Sequence, residues 1–162
     1  MVQLDDKGQV HELRSGRNAM VCIADRPNDD LFDVRCYQKD FVRVVLRTLQ
    51  LRRIGRGDRF TNLSPPVEDI VADEIKNGTL PLSNTPTAGY RCEGPIGDFD
   101  AARNVTGPGI ECWESVHFPF RTAKEIGLVD ESEISEEQAM SVPYVMSSGS
   151  YWAHVMIRHP RK

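Results

Sequence analysis

Ala19-Met-Val-Cys-Ile-Ala-Asp-Arg-Pro-Asn-Asp-Asp-Leu-Phe-Asp-Val-Arg-Cys-Tyr37 is the stretch on which the fold turns. Its opening run, Ala19 to Ala24, has the composition of a strand. Asp25-Arg-Pro-Asn-Asp-Asp30 is dense in turn formers, and Phe32 to Tyr37 supplies a second strand. Residues 18–37 therefore read as a hairpin-like unit. Directly after it, Val42, Val45, Leu46 and Leu49 fall at i, i+3, i+4 and i+7, so 39–53 reads as a helix with one apolar face. Arg43, Arg47 and Val44 point away from that face. The segment is also rich in β-branched residues, which keeps a strand as the alternative. Gly55 and Gly57 are the expected stops.

Downstream, a second helix is expected from about Pro65 to Asn77. Ser64 is its N-cap and Pro65 its first helical residue. Glu68 and Asp69 suit the positive end of the helix dipole. Val67, Ile70, Val71 and Ile75 make its buried stripe, and Gly78 is the C′ residue. Residues 79–109 carry Pro81, Pro86, Gly94, Pro95, Gly97, Gly107, Pro108 and Gly109 and read mostly as loop, with Ala88 to Glu93 a strand inside it. So long an irregular run is either a packed covering loop or a set of hidden strands. Ile110 to Phe118 alternates: Ile110, Cys112, Val116 and Phe118 face one way, with Glu114 the exception, and Glu111, Trp113, Ser115 and His117 face the other. Thr122-Ala-Lys-Glu125 is a capping box that opens a short helix ended by Gly127. Asp130 to Glu137 is an acidic exposed segment. Pro143 to Met146, the turn Ser147-Ser-Gly-Ser150, and Tyr151 to Arg158 form a closing hairpin. The expected fold class is α+β: an antiparallel sheet with two main helices packed on it and long irregular loops.

The chain has 162 residues, which fits a single domain over 1–162. A core of that size needs no metal or disulfide to hold it. Apolar runs such as Ala19 to Ala24 fall far short of the ~20 residues that span a bilayer, so no membrane span is expected. The formal net charge of −4 argues against a general nucleic-acid binder. Met1-Val-Gln-Leu-Asp-Asp6 has neither a basic nor an apolar leader region, which leaves a cytosolic protein or a mature exported form carrying a start Met. No Gly-rich phosphate loop, His-Glu-x-x-His or Gly-x-Ser-x-Gly occurs, so no cofactor is expected. No Cys-x-x-Cys occurs either, and no metal site is expected.

Three short pieces in order along the chain carry a resemblance: Arg17-Asn-Ala-Met-Val-Cys22 followed by Cys36, Pro119-Phe-Arg-Thr-Ala123 followed by Gly127, and Ala153-His-Val-Met-Ile157. The layout resembles a group of small, exported, largely uncharacterised bacterial proteins that pair a leading Asn-x-x-x-Cys with a second Cys. The resemblance implies a periplasmic or extracellular protein; without it the chain reads as cytoplasmic. It implies no activity.

Five groups of residues bear on function. Cys22 and Cys36 flank a turn and can face each other on paired strands, which in an exported protein allows a disulfide; two buried thiols are the alternative. A nucleophilic cysteine needs a neighbouring base, and none is local. Cys92 and Cys112 read as buried free thiols, because Cys112 sits on the apolar side of its strand. Trp113 with His117, and Trp152 with His154, each share a strand face. If the two strands are neighbours, all four line one patch, as a ligand cleft, a metal site or an acid/base pair, against the default of a core face with hydrogen-bonded histidines. Asp25, Asp29, Asp30 and Asp33 read as turn residues rather than a Ca²⁺ loop. Arg43, Arg47, Arg52, Arg53, Arg56 and Arg59 form a solvated basic face that can pair with the acidic Glu125 to Glu137 stretch or grip phosphates.

No catalytic constellation stands out. The leading expectation is therefore a non-catalytic exported protein that binds a small molecule, an envelope component or another copy of itself. The alternatives are a small enzyme using His117 and His154 as acid/base groups or metal ligands, and a phosphate or nucleic-acid binder working through Arg43 to Arg59.

Overall fold

A computed structural model of the protein describes residues 1–26, 30–54 and 66–158. In chain order its elements are β1 (Val2–Leu4), β2 (Val10–Glu12), β3 (Met20–Ile23), β4 (Leu31–Gln38), α1 (Lys39–Ile54), α2 (Val67–Lys76), β5 (Thr87–Pro95), β6 (Phe99–Asp100), β7 (Val105–Thr106), β8 (Glu111–His117), α3 (Ala123–Ile126), β9 (Val129–Asp130), α4 (Glu136–Ala139), β10 (Tyr144–Met146) and β11 (His154–Arg158). Two single 3₁₀ turns lie at Ile96–Asp98 and Glu131–Glu133. Nine of the strands form one sheet in the order β2-β1-β3-β4-β5-β8-β11-β10-β9, while β6 and β7 form a small separate hairpin. The pairs β1–β3 and β9–β10 are parallel and the other pairs antiparallel. The fold class is thus α+β around a mostly antiparallel sheet.

The 18–37 unit is a hairpin as read, with Cys22 opposite Cys36. The closing hairpin pairs β10 with β11. Within 79–109, the hidden-strand reading is the one that holds: β5 runs through the middle of the sheet between β4 and β8. The helix at 39–54 is formed, with Asp40 in its first turn and Arg52 and Arg53 in its last, matching the helix dipole at both ends. Val44 departs from expectation. It is fully buried rather than turned to solvent, because α1 has a second covered face. Phe41, Val42 and Val45 pack with Leu4, Ile23 and Tyr37 of the strands. Val44 packs instead with Val67 and Val71 of α2 and with Tyr151.

Helix α2 opens with Pro66 in the N-cap position and no side-chain cap. Ser64 and Pro65, expected at its start, lie outside the described residues, as do Asp29, Gly55, Arg56, Gly57 and Arg59. Gly78 follows its end at φ +81°, the left-handed geometry that a side chain disfavours. The Thr122–Glu125 capping box is present, and Gly127 closes α3 at φ +81°. Ser135 and Gln138 build a second capping box at the start of α4 inside the acidic segment.

Strand alternation gives the sheet two distinct faces. The face that carries Tyr37, Ser115 and His117 is covered at one end by α1 and at the other by the α4 region, where Ala139 and Ile134 pack with Tyr144, Met156 and Trp113. We call this the inner face. The outer face carries Cys36, Cys92 and Cys112, and it is covered at the β11–β10 end by α3, where Ala123 packs with Val145 and Val155.

Candidate functional site

Register places the residues of the inner face in rows. Arg35, Arg91, Trp113 and Arg158 face one another across β4, β5, β8 and β11. Tyr37, Gly89, Ser115 and Met156 form the next row, and Thr87, His117 and His154 the one after. Gly89 is required here. A Cβ on it would come within 2.8 Å of both Ser115 Oγ and Tyr37 Cε1, so the missing side chain lets the Tyr37 ring lie across β5.

Tyr37, Trp113, Ser115, His117, Trp152 and His154 line a cleft of about 260 Å³. The conditional expectation about Trp113, His117, Trp152 and His154 is thereby met as geometry: β8 and β11 are neighbours, His117 pairs directly with His154, and all four residues border one cavity. A second cavity of about 410 Å³ lies between α1, the start of α2 and the 147–152 turn, and shares Arg35, Arg91 and Trp152 with the first.

His117 is 1% exposed and sits in an aromatic box. Its ring lies 4.1 Å from Phe41, 5.4 Å from Trp152 and 5.6 Å from Tyr37, and it stacks on His154 at 4.8 Å. Burial, with a smaller push from His154, drives its pKa down to about 2, so the ring is neutral at any ordinary pH. Its Nε2 lies 3.2 Å from Ser115 Oγ, while Nδ1 is buried without a hydrogen-bond partner among the described residues. His154 is held by a 2.7 Å contact between Nδ1 and the Trp152 carbonyl oxygen. A carbonyl can only accept, so Nδ1 carries the proton and Nε2 keeps its lone pair. Burial outweighs that hydrogen bond and lowers the His154 pKa as well.

At the other end of the cleft Asp33 binds two guanidinium groups. Arg35 Nε donates to it at 2.9 Å, and Arg91 donates through Nε and Nη2 at 3.0 Å each. Burial raises the Asp33 pKa, but the hydrogen bonds and charges of Arg35 and Arg91 overcome it and hold the carboxyl at about 2. Arg91 also pairs with Glu93 and lies 5.3 Å above the Trp113 ring. Asp25 does serve the turn, accepting from the backbone of Arg26 and Asp33.

Three expectations need correction. Cys92 and Cys112 are not free thiols but a disulfide, because β5 and β8 bring them face to face, and Cys112 is exposed. With Cys22–Cys36 also bonded, no described cysteine is free to act as a nucleophile. The supposed apolar face of β8 is the less buried one: Ser115 and His117 are in the core, while Cys112 is open. Finally, Arg47 and Arg52 of α1 pair with α2 rather than with Glu125 to Glu137. Arg47 grips Glu74, Arg52 meets Glu68, and Arg53 donates to the carbonyls of Leu4 and Asp5.

Arg35, Tyr37, Arg91 and Arg158 were not among the sequence-derived candidates, and Asp33, read as a turn residue, lies instead on β4 and binds Arg35 and Arg91. Their signal was the i, i+2 alternation Asp33-Arg35-Tyr37 and Arg91-Glu93, which a polar-means-outside reading assigns to solvent. Among the described residues no three His, Cys, Asp or Glu side chains gather to hold a metal ion. No helix among them is long and apolar enough to cross a membrane. No family model, curated protein or solved structure matches the chain.

Proposed function

We propose that this chain is a non-catalytic exported protein that binds a small molecule in the inner-face cleft. One observation carries the reading. Thr87 Oγ1, His117 Nδ1 and Arg158 Nε are buried polar atoms without hydrogen-bond partners among the described residues, and register places all three on the inner face. Leaving such an atom unpaired costs about 1–3 kcal/mol, so native folds keep them where something else satisfies them. A concave, aromatic-walled site with a few fixed polar groups is the ordinary form of a small-molecule pocket. That concavity favours a small ligand over an envelope surface or a second copy of the chain. Export is supported by the use of all four cysteines in disulfides, which persist in oxidising compartments.

The competing reading is an enzyme, favoured by the Ser115–His117 contact, which has the spacing of a nucleophile and its base. A base must hold a proton near the operating pH, and an imidazole at about 2 does not. Among the described residues no carboxylate orients the His117 ring from its Nδ1 side, since that atom has no partner there.

Because Trp113 and Trp152 both border the cleft, intrinsic fluorescence reports its occupation. Screening small metabolites by fluorescence and thermal shift is expected to yield compounds that change both signals without being consumed. A measured turnover abolished by His154→Ala would sink the binding reading in favour of the enzyme.

A further inference from the structure

Resting on that reading of the cleft, we propose that its ligand carries a single carboxylate and that Arg158 receives it. The argument starts from how this chain uses its other inward guanidinium groups. Arg47 grips Glu74 through Nε and Nη2, and Arg35 and Arg91 grip Asp33 through the same two atoms. That edge presents two parallel N–H bonds at the spacing of a carboxylate, which makes it the strong, bidentate form of the pair. The same edge of Arg158 meets no carboxylate among the described residues. Among the described residues its Nε is buried and unpartnered, and its side-chain hydrogen bond is Nη1 to the Met140 sulfur at 3.5 Å, a weak acceptor.

The charges point the same way. The guanidinium row holds Arg35, Arg91 and Arg158, and the carboxylates set against it are Asp33 and Glu93. Among the described residues one positive charge is left over, and it belongs to Arg158. A half-buried cation without a partner is costly, and a monoanion in the cleft removes the cost. A dianion such as phosphate fits less well. Arg35 and Arg91 are already engaged, and Asp33 and Glu93 would repel the second charge.

The rest of the cleft describes the body of the ligand. Trp113 is the register partner of Arg158, and Met146, Met156 and Trp152 add apolar wall. A cavity of 260 Å³ holds the equivalent of about nine waters at ~30 Å³ each. That is room for one ring bearing one carboxylate.

Calorimetric titration of the full chain tests this. The probes are benzoate, cyclohexanecarboxylate and indole-3-carboxylate, each beside its neutral amide, with inorganic phosphate as a further arm. The expected result is that at least one carboxylate binds about tenfold or more tightly than its amide. Arg158→Met should lower that affinity to the level of the amide and leave amide binding unchanged. Arg158→Lys should recover only part of it, since it restores the charge without the fork. Arg103→Gln, at an exposed turn, should change nothing. The wild-type comparison of acid with amide does not depend on any variant folding. Equal binding of acid and amide, or full carboxylate affinity in Arg158→Met, overturns the role of Arg158 while the cleft reading stands. Arg158-dependent binding of phosphate above every carboxylate overturns the choice of a monocarboxylate. If no probe, charged or neutral, gives heat or changes tryptophan fluorescence, both readings fall.

Discussion

Arg35 and Cys36 are adjacent in sequence and opposite in circumstance, and so are the two faces of the sheet they belong to. The outer face of β3, β4, β5 and β8 is thinly covered and held by covalent bonds, Cys22–Cys36 across one strand pair and Cys92–Cys112 across another. The inner face is covered by helices yet holds Asp33, Arg35, Arg91, Ser115 and two histidines where a simple core would place aliphatic residues. The contrast teaches how a small sheet can afford a polar interior. Buried charges contribute little net stability even when paired, and unpaired atoms subtract from it. Two staples on the far side of the same strands supply stability that does not depend on what the inner face is made of.

Removing the staples should therefore have the largest effect of any change considered. Closing loops of these lengths contributes about 3 kcal/mol each in the chain-entropy description, so full reduction costs about 6 kcal/mol, comparable with the whole stability of many domains. Reduced protein is expected to be largely unfolded near 37 °C, as followed by far-UV circular dichroism with and without reductant. A reduced, alkylated chain that melts within a few degrees of the oxidised one would show that the outer face holds itself together without them.

The inner face should break next most easily at Asp33. Asp33→Asn keeps the shape but removes the charge that Arg35 and Arg91 share. Taking one partner from a buried ion pair typically costs about 3–5 kcal/mol, because the remaining charges stay buried. Urea denaturation of the oxidised variant measures it. A loss below about 1 kcal/mol would mean that water reaches this end of the cleft and the pairs behave as surface pairs.

The same contrast explains what could be read from the sequence and what could not. Local signals carried through: β3 and β4 pair antiparallel, the apolar stripe of α1 and the Gly78 stop of α2 are where they were expected, and Thr122–Glu125 caps its helix. Each rests on neighbours a few residues apart. The inner face rests on pairs such as Asp33–Arg91, 58 residues apart, which turn polar side chains into core only once β4 and β5 lie together. Before that pairing is known, Ala88 to Glu93 reads as a strand inside a loop with nothing to turn Arg91 toward a core, and Cys112 and Val116 mark the opposite side of β8 as the apolar one. The Trp and His set was visible as two strand pairs, since residues two or four apart share a face, but its convergence needed the β8–β11 register. Cys92 and Cys112 were misread for the same reason: only the β5–β8 pairing places them together.

Acid should act first on the inner face, and by the smallest step for a modest change of conditions. In the unfolded chain His117 titrates near 6.5, while in the fold burial and His154 hold it at about 2. Above the unfolded value both states are neutral and the fold has its full stability. Below it the unfolded chain takes up a proton that the folded chain refuses, so stability falls with falling pH through the window from about 6.5 to about 2. The slope approaches about 1.4 kcal/mol per pH unit for one such group. His154 acts in the same direction. Asp33 joins only lower, as pH drops from its ordinary value of 3.8 toward about 2 and protonation dissolves its pairs with Arg35 and Arg91. The disulfides of the outer face do not titrate. Denaturation midpoints measured from pH 8 to pH 4.5 should therefore fall, and His117→Phe, which keeps an aromatic ring among Phe41, Tyr37 and Trp152, should remove a large part of the slope. An unchanged slope in that variant would place the acid sensitivity on exposed groups and remove the basis for treating the two faces as differently poised.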